Sequence, residues 1–173
     1  MHADQERGLR DEIDRLRAQL ARERRAREQR LEINRLAANT SGQVTRDGVA
    51  SVIAAHASGL FSAGWVMVAY VGDDDIAHLV HGPRVPDDIR ADWETAPLDT
   101  DVPICHALRT GERFELVSRD DFAPWPILVA EADRAELASL TVEPVRGNDR
   151  PAAVIALGWD RPRTMDDLER ELV

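Results

Sequence analysis

The sequence contains no lysine, one cysteine, few aromatic residues and no long apolar run. All 22 basic residues are arginine, Cys105 is the single cysteine, and aromatic residues make up 5% of the 173 positions. One cysteine excludes an internal disulfide framework and a metal site built from several cysteines. The longest apolar runs, 65–71 and 152–159, are far shorter than the ~20 residues that span a bilayer. We therefore predict no membrane-spanning segment.

The N-terminus also lacks the apolar core of a signal peptide, so the expected compartment is the cytoplasm. The net charge is −10. An acidic chain argues against a nucleic-acid partner, which would require a basic patch on the folded domain. Clustered aspartates at 73–75 and 120–121 are interpreted as solvated turn residues, and no metal site is predicted.

The balance of basic and acidic residues changes near Asn39. Residues 1–38 contain ten Arg and eight Asp or Glu, whereas the rest contains twelve Arg and twenty-four Asp or Glu. This change in composition predicts two parts, an N-terminal helix at 1–39 and a globular domain at 40–173.

The N-terminal part has the apolar spacing of a coiled coil. Leu9, Ile13, Leu16 and Leu20 are separated by four, three and four residues, and the pattern resumes at Leu31 after a break. Such a narrow apolar stripe needs a partner helix, so these five residues predict a homodimer. The alternative is a single helix that folds back onto its own domain.

The globular part begins with a helix and a buried hairpin. The predicted helix has Thr45 or Asp47 as its N-cap. Its apolar stripe follows helical spacing and consists of Val49, Val52, Ile53, His56, Ala57 and Leu60. The run Trp65–Val71 predicts a central strand covered on both faces, and Ile76–His81 pairs with it after a turn at 72–75. A second hairpin is predicted from 139–145 and 152–159.

Between the hairpins, mixed patterns predict two short helices and a strand, and a further helix follows the second hairpin. The helices are Asp87–Trp93 and Val102–Arg109, the strand is Arg113–Val117, and the final helix begins at Thr164. Asp101 is the predicted N-cap of the second helix and Gly111 its C-cap. The apolar pattern of the final helix is still running at Val173, so we expect it to continue in a longer protein.

Two antiparallel hairpins with flanking helices and a helical insertion predict an α+β fold. Three segments resemble the opening, middle and end of a GAF domain: VTRDGVASVIAAHASGLFSAGWVMVAYVGDDD, PICHALRTGERFELVS and ELASLTVEPVRGNDRPAAVIALGWDRPRTMDDLERELV. The resemblance covers residues 40–173 and is carried by the order and spacing of elements. This segment is similar to GAF domains of bacterial, in particular actinobacterial, sensor proteins. It implies a central antiparallel sheet flanked by helices, here preceded by a long coiled-coil helix.

The resemblance also implies a role in signal transduction. GAF domains usually bind a small molecule between the sheet and the inserted helices and precede an output domain of phosphatase or kinase type. The lysine of the cyclic-nucleotide-binding signature is missing here, which disfavours that ligand. The residues predicted to line this pocket are Tyr70, His81, Trp93, Cys105, His106, Arg109 and Trp125.

Cys105 and His106 leave several interpretations open. Bilin-binding GAF domains attach their chromophore to a cysteine that often precedes a histidine, but the flanking PICHALRTG is more similar to ordinary sensor domains. Cys105 alternatively packs as a small hydrophobe, or senses redox state with its pKa lowered by the helix N-terminus. His106 or His56 could ligate haem, although His56 lies on the apolar stripe of the first helix.

No catalytic motif is found. A GAF-fold methionine sulfoxide reductase would need further cysteines, and neither a nucleophile elbow nor a glycine-rich phosphate loop is present. We therefore predict a non-enzymatic sensor that binds no cofactor. The alternatives are a ligand-free dimerisation scaffold and a bilin- or haem-bearing sensor.

Overall fold

In the computed structural model of the chain, the described residues are 12, 15–17, 19–21, 23–24, 45–72, 75–147 and 151–172. The chain divides into two units, Met1–Ala38 and Asn39–Val173. No helix among the described residues is long and apolar enough to cross a membrane.

The described residues of the first unit are helical. The side chains of Leu16 and Leu20 are about half exposed (53% and 49%). Leu9, Ile13 and Leu31 lie outside the described residues, and so does the break in the heptad pattern. Dimerisation through this helix stays a prediction.

The second unit is built on a six-stranded sheet in which every neighbouring pair is antiparallel. The spatial order is β3-β2-β1-β6-β5-β4. The strands are β1 (Trp65–Val71), β2 (Ile76–His81), β3 (Thr95–Pro97), β4 (Phe114–Leu116), β5 (Ser139–Val145) and β6 (Ala153–Trp159). Both predicted hairpins are confirmed, whereas the edge strand β3 was not predicted because it has only three residues and ends in proline.

Helices cover both faces of the sheet, which confirms the α+β class. The α-helices of the second unit's described residues are α1 (Arg46–Leu60), α2 (Asp87–Asp92), α3 (Pro103–Thr110), α4 (Pro126–Arg134) and α5 (Asp167–Arg170). A 3₁₀ turn occupies Arg119–Phe122.

The period of two along β1 separates the two cores. Trp65, Met67 and Ala69 pack in the core that also contains residues of α2, α3 and α4; we call this side of the sheet the insertion face. Val66 and Val68 pack in the other core, against α1; we call that side the α1 face. Strand β1 is therefore buried on both sides, as predicted.

Helix α1 is correctly predicted, but the predicted stripe only partly matches the face that it buries, sharing Ala57 and the flanking Ile53 and Leu60. Thr45 caps it by accepting a hydrogen bond from the Gly48 amide at 3.1 Å. The deeply buried positions are Ala50, Ala54 and Ala57, whereas most of the larger residues of the predicted stripe are only half-buried. Small alanines let the helix backbone approach the sheet closely, so the larger side chains lie along the flanks of the contact.

Two predicted helix starts also need correction. Helix α3 begins at Pro103 after Val102, which makes no side-chain cap, so Asp101 is not the N-cap. Proline tolerates this start because it has no amide N–H to satisfy. Gly111 is the C-cap, as predicted, in the left-handed conformation (φ 73°). Helix α5 begins after Asp166 rather than at Thr164, because Asp166 and Glu169 form a reciprocal capping box.

Candidate ligand-binding site

An apolar cavity lies between the insertion face of the sheet and helices α2, α3 and α4. Its volume is about 30 Å³, roughly the share of one molecule in liquid water. It is lined by Trp65, Met67, Leu79, Ile89, Trp93, Val102, Pro103, Ile104, Leu128, Glu131 and Leu140. Of the seven sequence candidates, Trp93 lines this cavity directly.

His81 borders the cavity through its bond to Trp93. Its Nε2 lies 2.8 Å from the Trp93 carbonyl oxygen, so Nε2 carries the proton and Nδ1 is left as an acceptor. Nδ1 is buried without a hydrogen-bond partner among the described residues. Burial lowers the pKa of His81; the Trp93 carbonyl opposes this shift and nearby Arg90 adds to it. The imidazole is therefore held neutral.

Trp65 supplies a second orphaned polar atom. Its indole is only 8% exposed, and its Nε1 has no hydrogen-bond partner among the described residues. Leaving such a donor unsatisfied costs about 1–3 kcal/mol. Trp65 lines the apolar cavity on one side and a more polar surface groove on the other.

Cys105 is packed in the core of the insertion face with no exposed surface. Burial raises the pKa of its thiol to about 11, although Arg109 acts in the opposite direction. The expectation that the helix N-terminus lowers this pKa is wrong, because desolvation is the larger effect. The interpretation of Cys105 as a small hydrophobe fits its position.

His106 points into an aromatic cluster rather than toward Cys105. Its ring meets Phe114 at 5.3 Å and Trp125 at 5.8 Å between centroids, both edge to face. Phe114 and Trp125 are themselves 5.4 Å apart in the same geometry. His106 Nε2 also lies 3.3 Å from a carboxylate oxygen of Glu112. The cluster joins α3, β4 and the start of α4 and does not line the cavity.

The remaining two candidates lie away from the cavity. Arg109 donates a hydrogen bond to the carbonyl of Leu98 and is exposed. Tyr70 lies on the α1 face, where it donates a hydrogen bond to Asp47 and stacks on His78 at 5.4 Å. It lines a separate open groove of about 380 Å³ beside α1. The structure therefore does not bring Tyr70 together with the other candidates.

Charged groups tie α2 to α4 over the cavity. Arg134 Nη2 lies 2.9 Å from carboxylate oxygens of both Asp88 and Asp92. Its Nη1 lies 3.1 Å from both oxygens of Glu131. The bonds from Arg134 lower the pKa of Asp88. We call these four residues the Arg134 cluster.

Sequence reasoning missed the walls of the cavity and the Arg134 cluster. The period of two in β1 was a usable signal, since it places Trp65 and Met67 on one face together. Nothing local indicated that Leu128 and Leu140 complete the same cavity. Among the described residues no group of three or more His, Cys, Asp or Glu side chains is arranged to hold a metal ion. Asp121 instead accepts backbone hydrogen bonds from Val117 and Ser118.

Comparisons with known proteins identify the fold. No family model and no curated protein matches the sequence. The GAF domain of a phosphoenolpyruvate-protein phosphotransferase from Coxiella burnetii matches with a TM-score of 0.64 at 8% identity, over 84% of this chain and 86% of that one. Free methionine-R-sulfoxide reductase from Neisseria meningitidis matches with a TM-score of 0.62 at 16% identity, over 85% and 83%.

A third match is the phycocyanobilin-bound GAF domain of a cyanobacterial phytochrome. It has a TM-score of 0.59 at 15% identity and covers 83% of this chain and 86% of that one. At such low identity these likenesses show the fold alone. The chain has the GAF fold predicted from its sequence.

Proposed function

We propose that residues 40–173 form a non-catalytic sensory domain that binds a small molecule in the cavity between the sheet and helices α2–α4. The observation that carries the proposal is this cavity, which lies between the sheet and three helices and has an apolar lining. A sensor site is concave, mostly apolar and supplied with few polar groups. The cavity has these properties.

The absence of catalysis is part of the proposal. The reductase from Neisseria meningitidis shares the fold, so the fold alone does not exclude an enzyme. Thiol chemistry requires a thiolate. Cys105 is fully buried and its pKa is raised to about 11, so its thiol is suited to packing rather than to reaction.

Signal relay would use the helices that flank the domain. Arg163 connects their ends: it donates to the Phe61 carbonyl after α1 at 2.9 Å and also bonds to Glu169 of α5. A ligand shifts such a contact only if it binds two arrangements with different affinity. The N-terminal stripe from Leu9 to Leu31 would supply a homodimer, and a phosphatase or kinase output domain in a cytoplasmic protein would receive the signal.

A thermal-shift screen of the whole chain with a small-molecule library tests the proposal. A ligand at 100 times its Kd stabilises the folded state by about 2.7 kcal/mol, so a specific hit raises the melting temperature in a saturable way. Hydrogen exchange with the hit present should then change at the ends of α1 and α5. A library that shifts nothing would contradict the sensor proposal.

A second candidate is a ligand-free dimerisation scaffold. The small volume of the cavity, about 30 Å³, favours it, since a larger molecule would fit only after the walls moved apart. A scaffold would sediment as a dimer at micromolar concentration and would show no specific thermal shift. A strict monomer would count against both the scaffold and relay through a dimeric helix.

The bilin or haem alternative has less support. Cys105 has no exposed surface, and His106 is engaged by Phe114, Trp125 and Glu112. Attachment at Cys105 would require α3 to leave the core. A visible absorption spectrum after incubation with biliverdin or haemin tests this alternative directly.

A further inference from the structure

The charge balance of the apolar cavity constrains what it can bind. Of the residues that line it, Glu131 is the only one that carries a charge, and none is cationic. Arg134 already pairs with both carboxylate oxygens of Glu131. A bound anion would therefore lack a counter-charge, and a bound cation would have to displace Arg134. Burying an unpaired charge is strongly unfavourable.

The walls favour a flat apolar body. Trp65 and Trp93 contribute aromatic surface, and Met67, Leu79 and Leu128 contribute aliphatic surface. No polar atom is exposed at the wall, the buried Nε1 of Trp65 included. A polar group on the ligand would therefore be buried here without a hydrogen-bond partner, which is unfavourable.

We infer that the cavity takes an uncharged, predominantly apolar small molecule. This inference rests on the proposed sensory function and names its ligand class. Because the cavity now holds roughly one water volume, the ligand enters by separating α2 from α4, and the two helices are joined by the Arg134 cluster. Binding therefore couples occupancy to the position of these helices.

Four probes of nearly the same shape test the inference on the whole chain. Acetophenone is neutral with an acceptor, α-methylstyrene is its neutral hydrocarbon counterpart, benzoate is the anion and benzamidinium is the cation. We expect the two neutral probes to raise the melting temperature and quench tryptophan fluorescence. α-Methylstyrene should bind at least as tightly as acetophenone, because the acetophenone carbonyl would be buried without a hydrogen-bond donor.

Substitutions locate the binding. Val102→Phe should fill the cavity and abolish binding of both neutral probes, whereas Val49→Phe, in the groove beside α1, should leave it intact. If Val102→Phe fails to fold, Trp93→Phe should reduce the quenching and Trp159→Phe, in the other core, should not. Undiminished quenching in Trp93→Phe together with binding that survives Val102→Phe would place the ligand elsewhere and overturn the inference.

The outcomes separate the ligand class from the function. Benzoate or benzamidinium binding as tightly as acetophenone would overturn the ligand class while the sensory function stands. Acetophenone binding about tenfold tighter than α-methylstyrene would mean that a donor reaches the ligand, and would overturn the wholly apolar character of the site. If no probe binds and the broad library shifts nothing, the sensory function itself fails.

Discussion

Arg134 on α4 holds Asp88 on α2 through a hydrogen bond of 2.9 Å between Nη2 and Oδ2. The two residues are far apart in the chain and meet over the apolar cavity. Asp92 and Glu131 share the same guanidinium. The pair therefore fastens the two helices whose separation would enlarge the site.

Arg134→Gln should loosen α2 and α4 without unfolding the domain. Exposed ion pairs add little to global stability, so we expect the melting temperature to fall by a few degrees at most. Amide exchange in α2 and α4 should become several-fold faster, because local opening no longer breaks the contacts from Arg134 to Asp88 and Asp92. Hydrogen-exchange mass spectrometry measures this for each peptide.

Arg170→Gln is the matched control. Its side chain is as exposed as that of Arg134 (37%), and it pairs with Glu115 and Asp167, away from α2 and α4. Exchange in α2 and α4 should match the wild type in this variant. Equal acceleration in both variants would mean that the Arg134 cluster does not fasten these helices specifically.

His81 should make the domain less stable in mild acid. In the unfolded chain a histidine gains a proton as the pH falls through its ordinary pKa of 6.5, but burial lowers the pKa of His81 in the folded state. The unfolded state then binds more protons, so stability is lost as the pH falls from about 6.5 to the lower folded pKa. The slope cannot exceed about 1.4 kcal/mol per pH unit for one proton.

Urea unfolding of wild type and His81→Gln between pH 5 and 7.5 measures this slope as a difference. The wild type should lose more stability than the variant over this range. If the free energy of unfolding depended on pH in the same way in wild type and His81→Gln, His81 would not be the source of the acid instability.

Cys105 should destabilise the domain in alkali. Its pKa is raised from 9.0 to about 11, so between these values the unfolded chain loses a proton that the folded domain retains. Stability contributed by the protonated thiol is complete below pH 9 and is lost as the pH rises to about 11, by about 2–3 kcal/mol in total. Cys105→Ala should lack this part of the alkaline slope.

Thiol reactivity provides an independent measurement. Native Cys105 should react with iodoacetamide at pH 8 orders of magnitude more slowly than the unfolded chain, because it is both buried and protonated. Rapid native alkylation would contradict its assignment as a packing residue and restore the redox interpretation.

Gly158→Ala should strain the centre of the sheet. A Cβ at this position would lie 2.3 Å from Leu137 Cδ1 and 3.1 Å from Trp65 Cβ. Leu137 is only 3% exposed and has little room to move, so we expect a loss of about 1–3 kcal/mol in chemical denaturation. Gly64→Ala meets nothing within 4 Å and should cost less. Similar losses in the two variants would argue against the clash.

The sequence predicted what depends on local spacing and missed what depends on distant pairing. Trp65–Val71 identified the central strand because both of its faces are apolar, and Gly111 identified a helix end because glycine accepts a positive φ. Tyr70 lies on the α1 face, opposite Trp65 and Met67, because side chains alternate along β1; choosing candidates by residue type does not use this alternation. The contact between Arg134 and Asp88 and the desolvation of Cys105 depend on elements far apart in the chain, which no local pattern reveals.

Arg163 and Glu169 should be energetically coupled. Glu169 is only 4% exposed and bonds to Arg163, while the Arg163 guanidinium also lies over the Trp159 ring at 4.9 Å. Arg163→Met would leave a buried carboxylate without its cation, which typically costs about 3–5 kcal/mol. We expect the lower end of this range, because Glu169 keeps the amide of Asp166 at 3.0 Å.

A double-mutant cycle distinguishes this pairing from loss of packing alone. Arg163→Met with Glu169→Met should be more stable than Arg163→Met by itself, because the second change removes the unpaired charge. If instead the two losses simply add, Arg163 acts only through Phe61 and Trp159. In that case α5 is not held to the end of α1 by charge, and relay between these helices would have to use the packing of Met165 and Leu172 in the same core.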